Sequence, residues 1–286
     1  MQTMIDRIFE EVTRGLIFER LPDATQALIR EMPMEDIRTA CANVLIRPQP
    51  GEVAQTARML LNPCLAASWL MVFEDLGLPR RLAVYEPCVG SSEPVILAAD
   101  TYSRGGGSYT TVNLNRPLAA ELGAKLGKVG MPVRIIEDDA SRLGTLLPPA
   151  SVDAGCFHHA VNDILQTAVS EPRGMDTRTV DWWPNERQMI EWLAEDDRKG
   201  RLDECARPAL VSAVRQAVDL VKPGGSLIFD HWTWEAYTTV DWFPWDLFQR
   251  LIPLAREWIM AERLPVREVF VPGRDPQWWM FLVKEG

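Results

Sequence analysis

Apolar and polar positions follow a helical period through the first 80 residues of the chain. Apolar side chains recur every three or four positions, as they do along helices that bury one face. These positions are Met4, Ile5, Ile8, Val12 and Leu16, followed by Ile37, Cys41, Val44 and Leu45. The Leu76-Gly77-Leu78-Pro79 sequence is typical of a helix stop. Residues 1–80 are therefore predicted to form a helical segment that covers the main domain or packs against a second subunit in a homodimer.

After Arg81 the pattern changes to short apolar runs of the kind that form buried strands. The five runs are Leu82–Tyr85, Thr110–Leu114, Pro132–Ile136, Ser151–Phe157 and Ser226–Phe229. Helical stretches separate them, such as Pro117–Leu126 and Ala209–Val221. Strands that alternate with helices indicate right-handed βαβ crossovers and a parallel sheet.

The C-terminal residues show a different pattern. Two strand-like runs, Val266–Val271 and Trp278–Val283, are separated by the turn sequence Pro272–Pro276. No helix fits between them, so they are predicted to form an antiparallel hairpin. The predicted fold is α/β, with a mostly parallel sheet, helices on both faces and a closing hairpin, in a domain spanning residues 81–286.

Composition and charge narrow the classes of partner. The 286 residues include 30 basic and 40 acidic ones, a net charge of -10, and no run of Lys and Arg. Phosphate backbones repel such a surface, so a nucleic-acid partner is not expected. The longest apolar stretch, Leu65–Phe73, is far shorter than the ~20 residues that span a bilayer. The N-terminal sequence is unlike a signal peptide, and the five cysteines form no CxxC pair, so a cytoplasmic protein without a membrane partner is predicted.

Candidate binding residues follow the predicted strands, because ligands of open α/β sheets bind beyond the carboxyl ends of the strands. The first strand is followed by Glu86-Pro87-Cys88-Val89-Gly90-Ser91-Ser92. Gly90 permits a tight turn, Ser92 is predicted to cap the next helix, and Pro94 suits its first turn. Because any strand-to-helix turn favours these residues, the alternative to a ligand-binding turn is a purely structural one. With one glycine the turn is not G-x-G-x-x-G, which disfavours pyrophosphate cofactors.

The ordered series of strand ends resembles that of the Rossmann-like (class I) S-adenosylmethionine-dependent methyltransferases, over about residues 80–286. In that family strand one ends in an acidic residue and a glycine-rich loop, the place taken here by Glu86–Ser92. After strand two, the family has an acidic residue that binds the ribose, and this chain has Asn113 at that position. An Asp-Ala pair that frames the adenine corresponds to Asp139 and Ala140. The leader to strand five, Lys-Pro-Gly-Gly, stands at residues 222–225.

The resemblance implies a Rossmann-like fold and S-adenosyl-L-methionine as the cofactor. The cofactor-binding residues that it implies are Glu86, Cys88, Gly90, Ser92, Asn113, Leu114, Asp139, Ala140 and the backbone near Phe157. The chain departs from the family at two places. Cys88 and Ser92 replace loop glycines, and Asn113 replaces a carboxylate whose hydrogen bond would be charge-assisted.

The histidines supply independent candidates for catalysis. The chain has three, and each of them, His158, His159 and His231, directly follows a predicted strand. Histidine titrates near neutrality, which suits a general base. The structural alternative is an imidazole bonded to a backbone carbonyl. Asp163 and Asp230 are candidates to orient an imidazole, with helix capping as the alternative, and Asp163 is also a candidate substrate contact. A metal centre is disfavoured because no H-x-x-x-H spacing occurs.

Aromatic residues are concentrated in the second half of the chain. Of the 11 tryptophans, all except Trp69 lie beyond residue 180. The aromatic-rich segment 232–248 follows strand five, and its Trp232, Trp234 and Tyr237 are predicted to line a substrate pocket. The connection at about residues 165–208 is too long for one crossover helix and is predicted to be lid-like, with Met175–Pro184 as its loop. The alternative is that these rings fill a core.

Together these features predict a methyltransferase that acts on a small aromatic or hydrophobic acceptor. A histidine is the predicted base if that acceptor is a hydroxyl or an amine, and the histidines only position an acceptor that is already nucleophilic. The alternative is a related protein that binds a ligand without catalysis, because the loop and Asn113 depart from the family pattern. A nicotinamide-dependent dehydrogenase ranks last, since the chain lacks the glycines and the acidic residue it would need.

Overall fold

The computed structural model describes residues 2–43, 59–231 and 241–286. Its strands are β1 (Ala83–Pro87), β2 (Ser108–Val112), β3 (Val133–Ile136), β4 (Val152–His158), β5 (Val221–Asp230), β6 (Val266–Glu268) and β7 (Trp279–Lys284). They form one sheet in the order β3-β2-β1-β4-β5-β7-β6, in which the first five strands are parallel and β7 is antiparallel to both neighbours. The predicted α/β fold with its closing antiparallel hairpin is confirmed.

Helices precede the sheet and connect its strands. They are α1 (Gln2–Thr13), α2 (Leu16–Arg20), α3 (Asp23–Glu31), α4 (Met34–Asn43), α5 (Leu61–Asp75), α6 (Pro94–Ser103), α7 (Arg116–Lys125), α8 (Leu143–Leu146), α9 (Ala160–Ser170), α10 (Trp182–Arg198), α11 (Leu202–Cys205), α12 (Arg207–Leu220), α13 (Trp245–Phe248) and α14 (Leu251–Ala261). Within the described part of the chain, no helix combines the length and apolar character that crossing a membrane requires.

The sheet has a buried core on each face, because successive strand residues point to opposite sides. On one face Val84, Cys156 and Ile228 pack in a cluster with side chains of helices α1 to α6. On the other face Tyr85 and Phe229 pack with α9, α10, α12 and α14. The N-terminal helices thus cover one face of the sheet within a single chain. Pairing with a second copy stays a prediction.

Strand β4 lies at the centre of the sheet, between β1 and β5, and all of its residues are buried. Its parallel register pairs His158 with Asp230 at the carboxyl ends of β4 and β5. The other neighbour, β1, runs in the same direction, so the residues that follow these three strands meet at one edge of the sheet.

The predicted bounds of the fifth strand were too short. Strand β5 begins at Val221, so the Lys-Pro-Gly-Gly sequence of residues 222–225 lies inside it. The register of pairing with β4 shifts between Val152 and Ala154, so this part of the ladder is irregular. Gly224 has a φ of +77°, a conformation that side-chain-bearing residues rarely adopt.

Candidate active site

Two adjoining cavities open above the carboxyl ends of the parallel strands. Cavity A has a volume of about 310 Å³ and cavity B of about 220 Å³. The residues that line both of them are Cys88, Gly90, Leu118, Asp163 and Trp182. A ligand in cavity A and a ligand in cavity B would therefore meet beside the loop that follows β1.

Cavity A lies over β1, β2 and β3. Four residues predicted to bind a cofactor line it beyond the shared wall: Asn113, Leu114, Asp139 and Ala140. Thr177, Glu171 and the start of α12 close its other sides. The structure therefore brings the residues predicted after strands two and three together in one cavity; their role in binding a cofactor stays a prediction.

Cavity B lies over β4 and β5. All three histidines line it, together with Trp183, Glu186 and Phe248. The His158 and His159 ring centroids are 5.0 Å apart, and those of His159 and His231 are 4.9 Å apart. The three imidazoles thus form one continuous wall of the cavity.

The loop after β1 adopts the conformation of a glycine-rich turn although it contains one glycine. Cys88 and Gly90 have φ values of +54° and +58°. The Asn113 side chain fastens this loop to β2, because its Nδ2 donates a hydrogen bond to the Gly90 carbonyl oxygen over 2.7 Å. A Cβ added to Gly90 would find one protein atom within 4 Å, Cδ1 of Leu118 at 3.6 Å. Since Gly90 lines both cavities, a side chain there would project into ligand space.

The helix that follows this loop begins differently from the prediction. Its N-cap is Glu93 rather than Ser92, and no side chain makes a capping hydrogen bond. Ser92 cannot act as the cap because it lies one residue before that position; its backbone N–H instead donates to the Val89 carbonyl. Pro94 occupies the first turn, as predicted. Ser92 still lines cavity B.

Two predicted cofactor residues lie beneath the cavities rather than in their walls. Phe157 is fully buried and stacks on Phe229 at a centroid distance of 4.4 Å, because alternation along β4 turns its side chain into the core. Glu86 is 1% exposed and its Oε2 accepts a hydrogen bond from the Tyr109 hydroxyl. Burial raises the pKa of Glu86 to about 8, although the charge of His158 opposes the shift.

A second asparagine fixes the segment that closes cavity A. The Asn115 Oδ1 caps α7 by accepting from the Leu118 N–H at 3.1 Å. Its Nδ2 donates to the carbonyl oxygens of Thr177 at 3.0 Å and Val180 at 2.8 Å. This buried amide therefore ties part of the predicted lid loop, residues 175–184, to the end of β2. Movement of that loop stays a prediction.

His158 differs from the other two histidines because a carboxylate orients it. Its Nδ1 lies 2.8 Å from Oδ1 of Asp230, and both side chains are at most 3% exposed. The indole Nε1 of Trp69 lies 3.3 Å from the same Nδ1. Burial lowers the pKa of His158, but the charge and hydrogen bond of Asp230 outweigh burial and raise it above its ordinary value. Nε2 is the ring nitrogen left for a ligand in cavity B.

The remaining histidines are held in the neutral form. Burial, reinforced by the charge of His158, lowers the pKa of His231 to about 3. Burial and the neighbouring imidazoles also lower the pKa of His159 well below its usual value. His159 has a φ of +56° at the start of α9, a strained conformation for a residue with a Cβ. Of the three histidines, His158 is the one that an acid-base role fits.

Asp163 stands where the two cavities meet. Its Oδ1 accepts a hydrogen bond from Asn162 Nδ2 at 3.2 Å. Burial raises the pKa of Asp163 to about 8, and the charge of Glu186 adds to this effect. The carboxyl group is therefore held mostly in its neutral form at pH 7 unless a cation approaches.

The structure describes only some of the aromatic residues near the predicted substrate pocket. Trp232, Trp234 and Tyr237 lie outside the described residues. Two other tryptophans take part in the site: Trp182 is buried and lines both cavities, whereas Trp183 lines cavity B and is 56% exposed. Both belong to α10, inside the predicted insertion.

Sequence reasoning missed the contribution of helix α5. Leu61, Asn62 and Leu65 line cavity B, and Trp69 reaches His158 from the same helix. The one signal in the sequence was that Trp69 is isolated from the other tryptophans. Lys125 and Glu186 were missed as well, because each stands among charged residues of an ordinary solvated helix.

A metal centre finds no support among residues 2–43, 59–231 and 241–286. No three side chains of His, Cys, Asp or Glu converge there in a way that could hold a metal ion. His158 is bonded to Asp230, and the neutral His159 and His231 face one another within the wall.

Comparison with known proteins finds no matching family model and no matching curated protein. Among solved structures, the chain is similar to PH0851, with a TM-score of 0.50 and 11% identity, over 97% of this chain and 67% of that chain. It is also similar to a SAM-dependent methyltransferase from Aquifex aeolicus, with a TM-score of 0.45 and 12% identity, over 75% of this chain and 87% of that chain.

A third similar structure is an rRNA methylase from Streptococcus thermophilus, with a TM-score of 0.41 and 10% identity, over 76% of this chain and 95% of that chain. At these identities the likeness concerns the fold, and the predicted fold agrees with it. The expected absence of a nucleic-acid partner stays a prediction.

Proposed function

We propose that the protein is an S-adenosylmethionine-dependent methyltransferase that acts on a small aromatic or hydrophobic acceptor. The observation that carries the proposal is the pair of cavities that meet at Gly90 and Asp163. Cavity A would hold the cofactor and cavity B the acceptor. The resemblance read from the sequence and the fold of similar structures support the same assignment.

The residues of cavity A fit the cofactor chemically. The Nδ2 of Asn113 donates to the Gly90 carbonyl oxygen, so its Oδ1 remains to accept a hydrogen bond from a ribose hydroxyl. Asp139 accepts the Ser141 N–H at one carboxylate oxygen, at 2.8 Å, and retains the other for the adenine amino group. Leu114 and Ala140 supply apolar contacts for the flat ring. The missing side chain of Gly90 leaves room for the chain that links the nucleoside to the methionine end.

The residues of cavity B would align the acceptor and remove its proton. When bound, S-adenosylmethionine supplies a methyl group already activated on a sulfonium, so the protein supplies alignment and excludes water. Asp230 holds Nδ1 of His158, and Nε2 is then available to accept the acceptor's proton. The neutral His159 and His231 would position the acceptor without adding charge.

The experiment that tests the proposal is a thermal-shift measurement with S-adenosylhomocysteine, S-adenosylmethionine and NAD in parallel. A ligand at about a hundred times its dissociation constant adds ~2.7 kcal/mol to the free energy of unfolding. A shift of several degrees with the two sulfur compounds, and none with NAD, is the expected result. A folded, ligand-free protein that none of them stabilises would contradict the proposal and favour the non-catalytic alternative.

A further inference from the structure

Helix α5 is buried on every side. Each residue from Pro63 to Phe73 is buried, and most of them are apolar. Apolar contacts have no preferred direction, so they define the position of such a helix along its axis less sharply than a hydrogen bond does. A slip by one residue would move α5 by about 1.5 Å and turn its side chains by about 100°. A buried polar contact can fix that register.

Such a contact comes from the turn between β6 and β7. Nη1 of Arg274 donates to Oγ of Ser68 at 2.6 Å, and Nη2 donates to the Ser68 carbonyl oxygen at 2.9 Å. Arg274 is 4% exposed and is the one Arg or Lys that is buried among the residues that the structure describes. The turn leads into β7, whose Trp279 pairs with Asp230. Arg274 therefore links α5 to the end of β5, where Asp230 meets His158.

The guanidinium of Arg274 is charged and incompletely paired. Burial lowers the pKa of Arg274 to about 10, and the charges of Asp75 and Asp230 oppose the shift, so the group stays protonated at pH 7. Its Nε has no hydrogen-bond partner among the described residues. A buried charge of this kind costs free energy that an apolar side chain of similar size would not cost. This cost favours a positioning role for Arg274 over a purely stabilising one.

The residue next to Ser68 is the one that contacts His158. Nε1 of Trp69 lies 3.3 Å from Nδ1 of His158, and the two rings meet edge to face at a centroid distance of 5.9 Å. The Trp69 ring also lies 5.3 Å from the Trp279 ring, and the Arg274 guanidinium lies over that second ring at 5.0 Å. Arg274 thus contacts both neighbours of the indole that reaches His158.

We infer that Arg274 is a positioning residue for cavity B, which sets the register of α5 and so holds the Trp69 indole against His158. The inference rests on the proposed function, in which His158 is the base, and it adds a residue that lines neither cavity. The same register places three other side chains of α5 in the wall of cavity B. A shift of α5 would therefore change both the surroundings of the base and the shape of the acceptor space.

The NMR signal of the Trp69 indole N–H tests the inference on the ligand-free full chain. In protein labelled with a nitrogen isotope at tryptophan, it is the indole signal that Trp69→Phe removes. Because Nε1 lies beside Nδ1 of His158, the signal should shift as the imidazole titrates, with a midpoint above 6.5. The groups that face His158 are Asp230 on β5, Glu86 on β1, Asp163 on α9, and the neighbouring His159 and His231.

A first control separates the titration of His158 from that of its neighbours. Glu86 and Asp163 both have pKa values of about 8, so they titrate in the same range of pH. His158→Gln should abolish the pH-dependent shift of the indole signal, because the titrating ring beside Nε1 is then absent. A shift that survives in His158→Gln would show that the indole does not report on the imidazole, and it would overturn the inference.

Two variants and a matched control then test the role of the arginine. We expect Arg274→Met to remove the pH-dependent indole shift, and Ser68→Ala, a milder change, to reduce it. The matched control is Arg256→Met. Arg256 donates to the carbonyl oxygens of Pro276 and Trp279, so this control removes an arginine from the same hairpin while the bonds to Ser68 remain. It should leave the indole shift as it is in the parent protein.

An indole shift of full amplitude in folded Arg274→Met protein would overturn the inference, and so would its absence from the parent protein. Should Arg274→Met not fold, an unchanged shift in Ser68→Ala has the same meaning. An equal loss in Arg256→Met would show that the hairpin as a whole, rather than Arg274, determines the contact. Failure of the proposed function is distinguishable, because it appears as an absent thermal shift with S-adenosylhomocysteine, whereas the indole measurement needs no ligand.

Discussion

Asn113 donates its side-chain Nδ2 to the carbonyl oxygen of Gly90, over 2.7 Å, and so joins the end of β2 to the loop that follows β1. This hydrogen bond explains why an amide suits this position, where the methyltransferase family that the sequence resembles has a carboxylate. A carboxylate has no N–H to donate and would repel the carbonyl oxygen. The amide nitrogen holds the loop, and the amide oxygen is the atom proposed to bind the ligand.

The first prediction concerns that bond. Asn113→Asp should weaken S-adenosylhomocysteine binding although it restores the family's acidic residue, because the loop loses its hydrogen bond to β2. Asn113→Ala should weaken binding about tenfold, the effect of losing roughly 1.4 kcal/mol of polar contacts. Calorimetric titration checks both variants. Tighter binding by the Asp variant would show that the bond to Gly90 does not organise the loop.

The second prediction concerns the conformation of Cys88. Its φ of +54° suits glycine, so Cys88→Gly should keep or raise the melting temperature. Cys88→Val should lower the free energy of unfolding by about 1–3 kcal/mol, because a β-branched residue is strained at positive φ. Thermal denaturation of the two variants measures the difference. A less stable Gly variant and an unaffected Val variant would contradict the loop geometry.

The third prediction concerns the base. Asp230→Asn should lower kcat about a hundredfold or more, because the imidazole of His158 loses the carboxylate that orients it. His158→Gln should lower kcat to a similar extent. Neither change should alter the dissociation constant of S-adenosylhomocysteine, since neither side chain lines cavity A. Equal losses in binding and in rate would instead indicate that the pair maintains the structure of the sheet edge.

The fourth prediction is the pH dependence of that base. Asp230 raises the pKa of His158 above its ordinary value of 6.5, and the base must be neutral to accept a proton. The rate should therefore rise with pH through a midpoint above 6.5. Steady-state rates from pH 5 to 10 measure the midpoint. A midpoint below 6.5 would show that a different group accepts the proton.

The fifth prediction concerns the stability of the insertion between β4 and β5. Asp196 is 1% exposed and pairs with Arg173 and Arg201. The hydrogen bond from Arg173 lowers the pKa of Asp196 to about 2. Because its folded-state pKa lies below the ordinary 3.8, its contribution is complete above pH 3.8 and is lost as the pH falls through about 2.

Asp196→Asn should accordingly lower the free energy of unfolding at pH 7 by about 1.5–3 kcal/mol, the range for hydrogen bonds to charged groups. The difference from the parent should shrink as the pH approaches 2. Chemical denaturation at several pH values measures it. Asp197→Asn is the control, since its ion pair with Arg250 is more exposed and should contribute less.

The sequence predicted the sheet because local patterns determine it. Each parallel strand is a short apolar run, and residues after β1, β2 and β3 converge wherever such strands lie side by side. The strand-end pattern pointed to the Gly90 loop, and the resemblance to the methyltransferase family pointed to Asn113 and Asp139. The structure brings all three residues to cavity A. The prediction for strand four named the backbone near Phe157. The Phe157 side chain itself points into the core, because side chains alternate along β4.

The surroundings of cavity B were harder to predict from the sequence. Helix α5 lies more than 80 residues before His158 in the chain, and the packing of one helix against the sheet brings Trp69 to the imidazole. No local pattern encodes that contact. The influence of Glu186 on Asp163, between two packed helices, is likewise a consequence of tertiary structure.

The two adjoining cavities are proposed to hold a methyl donor and its acceptor. A crystal structure of the protein with S-adenosylhomocysteine tests it most directly. We expect the adenine to lie between Leu114 and Ala140, a ribose hydroxyl to bind Oδ1 of Asn113, and the sulfur atom to lie at the junction of the cavities near Asp163. A fully liganded crystal in which S-adenosylhomocysteine lies outside cavity A, or crystals that exclude it at saturating concentration, would contradict the claim.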